Sequence, residues 1–291
     1  MKKLPALCLS AGLLLTLCAC GGTSPSGTAS QGGSSLNPLQ AQTQTDTAFI
    51  EVQGSVDALP LMLALSDSFM SENEGVTVDV AAVGRESARE VALSGETDLA
   101  VFSLGNGMDM PEGGVIAAYQ CVAVVLHMDN TVPGLTKEQL TGLMTGDIVN
   151  WEDVGGPDGP VTLYIPEAFD ALRQTIEDIL PLKNTSGIAK SLIPERAEIL
   201  QDSASIAQAV ADDKNALGIV WAAEIPSGLK PASIDSVFPS DTSVTDGSYI
   251  LSRPVVMVAG RQSEQTSAIL EHAKGNAMEQ QIKGLGLWPV K

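Results

Sequence analysis

The sequence predicts an α/β fold, and three observations lead to this prediction. From residue 47 onward, short apolar runs alternate with segments of helical periodicity, a pattern typical of mainly parallel sheets covered by helices. The 291 residues are enough for about two domains or one large one. Hydrophobic residues make up 44% of the chain, which is too apolar for global disorder.

The N-terminus carries the features of an export signal. Two lysines precede an apolar run from Leu4 to Leu17, which is shorter than the ~20 residues that a membrane-spanning helix needs. The run ends on the tetrapeptide LCAC, which resembles the bacterial lipobox. This resemblance implies a signal peptide over residues 1–19, cleavage before Cys20, and lipidation of Cys20. An ordinary signal peptide that is cut nearby is the alternative.

The next segment, residues 20–46, is predicted to be a flexible tether. Positions 21–45 contain no charged residue and are rich in Gly, Ser, Thr, Gln and Pro. Cleavage before Cys20 would leave Cys121 as the only other cysteine of the chain. Because Cys121 opens an apolar run, we expect a buried structural thiol without a disulfide partner.

Up to residue 126, four strands and two helices are predicted. Apolar residues from Leu59 to Phe69 recur at helical spacing, whereas Gly84 and Gly95 end a strand and a second helix. The other apolar runs are too short for helices and predict strands. In chain order the elements are strand Phe49–Gln53, helix 59–69, strand Val76–Val83, helix Glu86–Leu93, strand Asp98–Ser103 and strand Cys121–Leu126.

Beyond residue 126, the alternation continues. Thr136 and Gln139 have the spacing of a capping box and predict the start of a helix. In chain order the elements are helix Lys137–Met144, strand Val161–Ile165, helix Ala171–Leu180, helix Ser205–Ala211, strand Leu217–Trp221, strand Pro254–Ala259 and helix Thr266–Lys283. In such folds, ligands bind at the carboxyl ends of the strands, next to helix N-termini.

Composition and motifs exclude several classes of function. The chain has 16 Lys+Arg against 35 Asp+Glu, a net charge of −19, which argues against nucleic-acid binding and against a basic membrane-binding patch. Two His and four Cys leave little material for a metal site. The sequence lacks a P-loop, GxGxxG, CxxC or HExxH motif, so neither a cofactor, a metal nor an enzymatic activity is predicted.

Four segments together resemble the phosphate-type substrate-binding proteins of ABC transporters (PstS-like). The resemblance runs from about residue 48 to Pro289. Its segments read GSVDALP (54–60), DLAVFS (98–103), GLTKEQL with TGDIVNW and VGGPDGP (134–160), and GSY with LSRP (247–254).

The resemblance implies a two-lobed, periplasmic-binding-protein-like (type II) clamshell with two hinge crossovers. Lobe 1 would comprise residues 47–127 plus 250–291, and lobe 2 residues 128–249. The hinge strands would lie near Leu126–Asn130 and near Arg253–Val258. A solute would bind between the lobes, and a membrane permease would recognise the closed form.

The resemblance also implies site residues in the first lobe. Ser55 aligns with a ligand hydroxyl, and Asp98 aligns with an Asp that accepts a proton from the bound oxyanion. Asp57 stands where the family commonly has Thr, and capping of the following helix is its alternative role. Arg85 would add a cation to the pocket, and Ser87 or Glu86 falls at the position of a ligand Ser, depending on the register; a solvated helix start explains this segment equally well.

The second lobe departs from the family pattern. Pro166 stands at the position of a family Arg, and Asp170 begins the segment that usually reads Ser-Gly-Thr. A carboxylate about 4 Å from an anion opposes its binding by roughly 4 kcal/mol at an effective dielectric of ~20. Asp170 therefore either alters the ligand or faces water.

The predicted function is that of an extracytoplasmic solute-binding lipoprotein, monomeric and lipid-anchored at the outer face of a bacterial cell membrane. It would capture a small solute, by default phosphate or a similar oxyanion, and deliver it to the permease of an ABC importer. The alternative is a divergent family member with altered or lost ligand binding that acts as a surface sensor or interaction protein.

Overall fold

A mixed sheet organises the chain in the computed structural model, which describes residues 48–105, 107–184 and 190–290. The predicted signal peptide, Cys20 and the tether lie outside the described residues. The strands are β1 (Ala48–Ser55), β2 (Val76–Val83), β3 (Leu99–Ser103), β4 (Val115–His127), β5 (Thr162–Pro166), β6 (Lys183–Asn184), β7 (Lys190–Ser191), β8 (Glu198–Leu200), β9 (Ala216–Trp221), β10 (Leu229–Pro231), β11 (Ser252–Ala259) and β12 (Trp288–Pro289). The α-helices are α1 (Leu59–Glu72), α2 (Arg85–Ser94), α3 (Lys137–Thr145), α4 (Ala171–Ile179), α5 (Ser203–Asp212), α6 (Asp241–Thr245), α7 (Glu264–Ala273) and α8 (Asn276–Gly284).

The main sheet is parallel towards its two edges and antiparallel in its middle. Its order is β2-β1-β3-β11-β4-β9-β5-β8, and β10 and β12 also pair with β4. β1 runs parallel to β2 and β3, and β5 runs parallel to β8 and β9. β11 and β4 run antiparallel to each other and to their outer neighbours β3 and β9. The prediction of mainly parallel pairing is therefore right for the edges and wrong for the middle, where the chain crosses from one side to the other.

Strand β4 belongs to both sides of the sheet. Its residues up to Cys121 pair with β11, and its residues from Val122 to Leu126 pair with β9. We call β2, β1, β3, β11 and residues 115–121 the first half-sheet, and residues 122–127 with β9, β5 and β8 the second half-sheet. Residues 121–126 of β4 are fully buried, which explains their unbroken apolar sequence.

Each half-sheet has its own hydrophobic core. In the first half, α1 packs against α7 and α8, and its Leu65 and Phe69 lie among the buried residues of β1 and β3. In the second half, Trp151, Ile176 and Ile206 bury their side chains against β4, β5 and β9. A smaller cluster around Phe102 covers the other face of the first half-sheet under α2.

The C-terminal helix differs from its prediction. The sequence predicts one helix from Thr266 to Lys283, whereas α7 ends at Ala273 and α8 begins at Asn276. Gly275 between them has an extended backbone (φ −73°, ψ 156°) and is the N-cap of α8. Apolar periodicity continues across the break, so the pattern alone does not reveal it. None of the described helices is long and apolar enough to cross a membrane.

Candidate functional site

The carboxyl ends of β1 and β3 lie side by side and carry the centre of a buried polar cluster. Ser55 ends β1, Ser103 ends β3, and Asp57 follows in a short 3-10 helix; all three side chains are buried. The Ser103 hydroxyl donates to Oδ2 of Asp57 at 2.5 Å, and the Ser103 N–H donates to Oγ of Ser55 at 3.4 Å. Parallel strands thus bring together, at one edge, polar residues that are distant in sequence.

Gly54 makes this close arrangement possible. A Cβ atom at this position would collide with the backbone carbonyl of Val101 on β3 and with the thioether of Met62 on α1. Only a residue without a side chain lets the end of β1 approach both neighbours, which seats Ser55 and Asp57 against β3.

Arg253 of β11 completes the buried part of the cluster. Its Nη2 donates to Oδ2 of Asp57 at 2.9 Å and to the Thr175 hydroxyl on α4 at 3.1 Å. Its Nε donates to Oε1 of Gln120 at 2.6 Å, and the Gln120 amide donates to the backbone carbonyl of Asp57 at 3.0 Å. β11 lies between β3 and β4, so the sheet order itself brings Arg253 to the carboxyl end of β3.

Arg85 and Asp178 close the cluster on its more exposed side. Arg85 is the first residue of α2, and its Nε donates to the Ser103 hydroxyl at 3.0 Å. Asp178 lies on α4 and accepts through Oδ2 from Arg85 Nη2 at 2.8 Å and from Arg253 Nη1 at 3.2 Å. Its Oδ1 accepts from Lys183 Nζ at 2.7 Å. Asp178 thereby links α4 of the second half to α2 and β11 of the first.

The ion pairs keep both carboxylates charged. Burial acts to raise the pKa of Asp57, but Arg253, the Ser103 hydroxyl and Arg85 outweigh it and lower the pKa below its ordinary 3.8. Burial likewise opposes ionisation of Asp178, but Lys183 and Arg85 lower its pKa to about 2. Burial lowers the pKa of the Arg253 guanidinium, and the pairing with Asp57 and Asp178 counteracts this effect. The site is therefore a compact arrangement of full charges and hydroxyls.

Two of the six predicted ligand residues, Asp170 and Ser87, belong to the helices that carry Asp178 and Arg85, but other roles account for their positions. Asp170 is the N-cap of α4, and its Oδ1 accepts from the Leu172 N–H at 2.8 Å. Ser87 is exposed on α2, two residues after Arg85 and so about 200° round the helix from it. Asp170 is explained by its capping of α4, and Ser87 by its place on the exposed side of α2.

Asp98 lies at the opposite end of β3 from Ser103. At about 3.3 Å per residue, the strand separates the two by roughly 16 Å. Asp98 instead accepts from the Glu51 N–H at 2.9 Å and lies 3.4 Å from Arg261 Nη1. The expectation that Asp98 lines the same cleft as Ser55 is therefore corrected, because the carboxyl ends of the strands carry the site and Asp98 precedes its strand.

The cluster brings together Ser55, Asp57 and Arg85 of the predicted set. Sequence reasoning missed Gln120, Thr175, Asp178 and Lys183, and it used Arg253 only as part of a family motif and of a hinge. A signal for Arg253 was available, since a cation inside a buried strand needs a carboxylate nearby. Ligand contact by any of these residues stays a prediction.

The described residues offer no alternative centre of metal or thiol chemistry. Among residues 48–105, 107–184 and 190–290, no three His, Cys, Asp or Glu side chains lie close enough together to hold a metal ion. Cys121 is a free, buried thiol, and burial raises its pKa, which suppresses the reactive thiolate.

The chain is similar to known binding proteins in sequence. The family model described as the PBP superfamily domain matches residues 37–275. The phosphate-binding protein PstS of Bacillus subtilis is 26% identical over 259 residues, covering 85% of this chain and 80% of the relative. That of Staphylococcus saprophyticus is 25% identical and covers 71% and 68%. PstS of Borreliella burgdorferi is 19% identical over 156 residues, and the chain spans 56% of its length.

Solved structures share the fold. An ABC-type phosphate transport receptor from Vibrio cholerae aligns with a TM-score of 0.68 at 23% identity, covering 82% of this chain and 99% of that one. A possible phosphate-binding protein from Planctomyces limnophilus aligns with a TM-score of 0.70 at 20% identity, covering 84% and 94%. These likenesses confirm the predicted two-lobed α/β fold. Because the family model spans most of its length, this chain belongs to the PBP superfamily domain family.

Proposed function

We propose that this protein is a solute-binding protein that captures a phosphate-like oxyanion and delivers it to an ABC importer. The observation that carries the proposal is the convergence of two guanidinium groups, Arg85 and Arg253, with the hydroxyls of Ser103 and Thr175. Charged donors and hydroxyls are the groups that recognise a small oxyanion. The relatives described above, phosphate-binding proteins and a phosphate transport receptor, support this choice of ligand and partner.

The charge balance of the cluster supports an anion of low charge. Three cations, Arg85, Arg253 and Lys183, face two carboxylates, Asp57 and Asp178, which leaves one positive charge in excess. Glu177 also lies 3.8 Å from Lys183, but its nearer partner is Arg173 at 2.9 Å. This pair adds one charge of each sign and leaves the balance unchanged. A singly charged oxyanion would complete the neutralisation, since buried charge is costly unless it is paired.

Calorimetry with inorganic phosphate tests the proposal. We expect micromolar or tighter binding, and we expect Arg85→Gln to weaken it by at least about tenfold, the effect of losing roughly 1.4 kcal/mol. The matched control is Arg261→Gln, which removes an exposed Arg that pairs with Glu51 and Asp98 outside the cluster. Absence of heat and of thermal stabilisation at millimolar phosphate would refute phosphate as the ligand.

A divergent ligand is the second candidate, and one observation favours it. Asp178 already accepts from both guanidinium groups, whereas Asp57 accepts from Arg253 and lies 3.6 Å from Nη2 of Arg85. An anion therefore meets two carboxylates beside its donors. A thermal-shift panel of oxyanions, amino acids, sugars and divalent cations distinguishes the candidates. Stabilisation by a non-anionic solute would favour altered binding, and stabilisation by none would favour a sensor or interaction protein.

We propose further that the protein is a lipoprotein, monomeric and held by acylated Cys20 at the outer face of the cell membrane. The tetrapeptide of residues 17–20 and the uncharged segment after it support this placement. Labelling with a fatty-acid analogue should mark the protein and should disappear in Cys20→Ala. Unchanged labelling of that variant would contradict the anchor.

The lobe boundaries are also a proposal, with lobe 1 comprising residues 47–127 plus 250–291 and lobe 2 comprising residues 128–249. The change of partner along β4 supports two lobes joined by strands. This change lies between Cys121 and Val122, a few residues before the proposed boundary. Limited proteolysis should cut preferentially in the segments after β4 and before β11.

A further inference from the structure

The two carboxylate oxygens of Asp178 accept hydrogen bonds from different partners. Oδ2 accepts from both arginines, at 2.8 Å from Arg85 Nη2 and 3.2 Å from Arg253 Nη1. Oδ1 accepts from Lys183 Nζ at 2.7 Å. One oxygen thus occupies the point at which the two guanidinium groups converge, which is the point where an oxygen of an incoming anion would find the strongest donors.

Asp178 differs from Asp57 in exposure and in origin. The Asp57 side chain is 5% exposed and comes from the same half of the molecule as both arginines, whereas that of Asp178 is 25% exposed and comes from α4. Asp57 is therefore a fixed inner partner of Arg253. Asp178 is the outer partner, and an anion that arrives from solvent meets it first.

Lys183 gives Asp178 a partner that does not depend on the arginines. If Oδ2 leaves Arg85 and Arg253, Oδ1 can keep its ion pair with Lys183, so the carboxylate is not left unpaired. Displacement of Asp178 by an anion would exchange one carboxylate for another negatively charged group and retain the charge balance around both arginines.

We propose that Asp178 is a built-in competitor for the anion at Arg85 and Arg253 and so determines how tightly this protein binds its ligand. The inference rests on the proposed anion binding. It differs from a role as ligand contact, because a contacting residue strengthens binding and a competitor weakens it. It also differs from a purely structural bridge between α4 and the first half, whose loss would change stability and leave affinity unaltered.

Calorimetric titration of the full-length chain with inorganic phosphate tests this inference in Asp178→Asn. Removal of the competing charge should lower the Kd by about tenfold, which corresponds to roughly 1.4 kcal/mol. Asp178→Ser serves as a second variant with the same expectation. Asp153→Asn is the control, because it removes the same charge from an exposed residue outside the cluster.

The outcomes separate this inference from the proposed function. Tighter phosphate binding by the Asp178 variants than by the wild type supports the inference. Phosphate binding that only these variants show supports the competition and overturns phosphate as the ligand of the wild type. An unchanged or higher Kd in correctly folded variants, judged by circular dichroism, overturns it and leaves the proposed function standing. Absence of phosphate binding by every protein, wild type included, overturns both.

Discussion

Asp57 shows how one residue can turn an ordinary strand end into a charged site. The resemblance predicts Thr here, and the carboxylate in its place accepts from Ser103 and from Arg253. A buried carboxylate is tolerated only with such partners. The same pairing satisfies Arg253, which lies within a buried strand, so each charge stabilises the other.

Loss of the Asp57 charge should destabilise the protein strongly. Asp57→Asn leaves the Arg253 guanidinium without its buried counter-ion, and breaking a buried pair from one side costs about 3–5 kcal/mol. Urea unfolding followed by circular dichroism measures this loss. Asp153→Asn, which removes an exposed carboxylate, should stay within about 0.5 kcal/mol of wild type. A similarly small effect of Asp57→Asn would show that the pair contributes little.

The lowered pKa of Asp178 predicts a specific acid dependence. Its pKa is about 2 in the folded protein against an ordinary 3.8, so its ionised form stabilises the fold. This contribution is fully present above about pH 5 and is lost as the pH falls towards 2. The difference in free energy of unfolding between wild type and Asp178→Asn should therefore shrink over this range. Urea unfolding at pH 6 and pH 3 measures it.

A matched variant isolates that acid effect. Asp153→Asn leaves the ion pairs of Asp178 intact, so its loss of stability on acidification should match that of wild type. If Asp178→Asn loses as much stability as wild type between pH 6 and pH 3, other carboxylates carry the acid dependence.

At the scale of the elements, local sequence patterns were sufficient for most helices and strands. The capping box of Thr136 and Gln139 is confirmed, with both reciprocal hydrogen bonds at the start of α3. Strand β2 has the bounds that its apolar run predicts. Short elements such as β8 and β10 were missed because three residues held by neighbouring strands carry no periodic signal of their own. Local patterns report local structure only.

Asp170 was predicted as a ligand residue, and its place at the start of α4 leads to a different expectation. Asp170→Ala should cost about 1 kcal/mol of stability, because it removes an N-cap, whereas Asp170→Ser should restore most of this stability. Neither variant should alter phosphate affinity, since the side chain caps the helix instead of facing the cluster. Thermal unfolding and calorimetry measure the two properties. Tighter phosphate binding by Asp170→Ser would place the carboxylate beside the ligand after all.

At the scale of the whole molecule, the site could not be predicted in full because its parts come from distant segments. Asp57 and Arg253 are 196 positions apart, and Arg85 and Asp178 are 93 positions apart. Spacing along the chain carries no information on such pairs. The order of the strands in the sheet determines which of these segments lie next to each other. The resemblance to the family indicated the loops of the first half, where Ser55 lies, but it gave no partners for Asp57 or Arg85.

Strand β4 is shared by the two half-sheets and joins their cores. Its fully buried residues 121–126 lie at the junction between the half-sheets. Asp178 and Thr175 of α4 are hydrogen-bonded to Arg253, and Thr175 also donates to Gln120, which connects α4 to the first half. If either half unfolds, β4 becomes exposed, and the other half loses packing against this strand. The chain should therefore unfold in one cooperative transition.

A destabilising core mutation in one half should therefore lower the urea midpoint that is reported by a probe in the other half. Leu65→Ala in α1 leaves a cavity in the first core and should cost about 2–5 kcal/mol. In a background in which Trp221 and Trp288 are replaced by Phe, fluorescence reports only Trp151, which is buried in the second core. The urea midpoint reported by Trp151 fluorescence should fall together with the midpoint reported by circular dichroism.

The control is Leu63→Ala, the same change at an exposed position of α1, which should leave both midpoints nearly unaltered. A Trp151 midpoint that does not respond to Leu65→Ala would mean that the halves unfold independently and that the shared strand does not couple them.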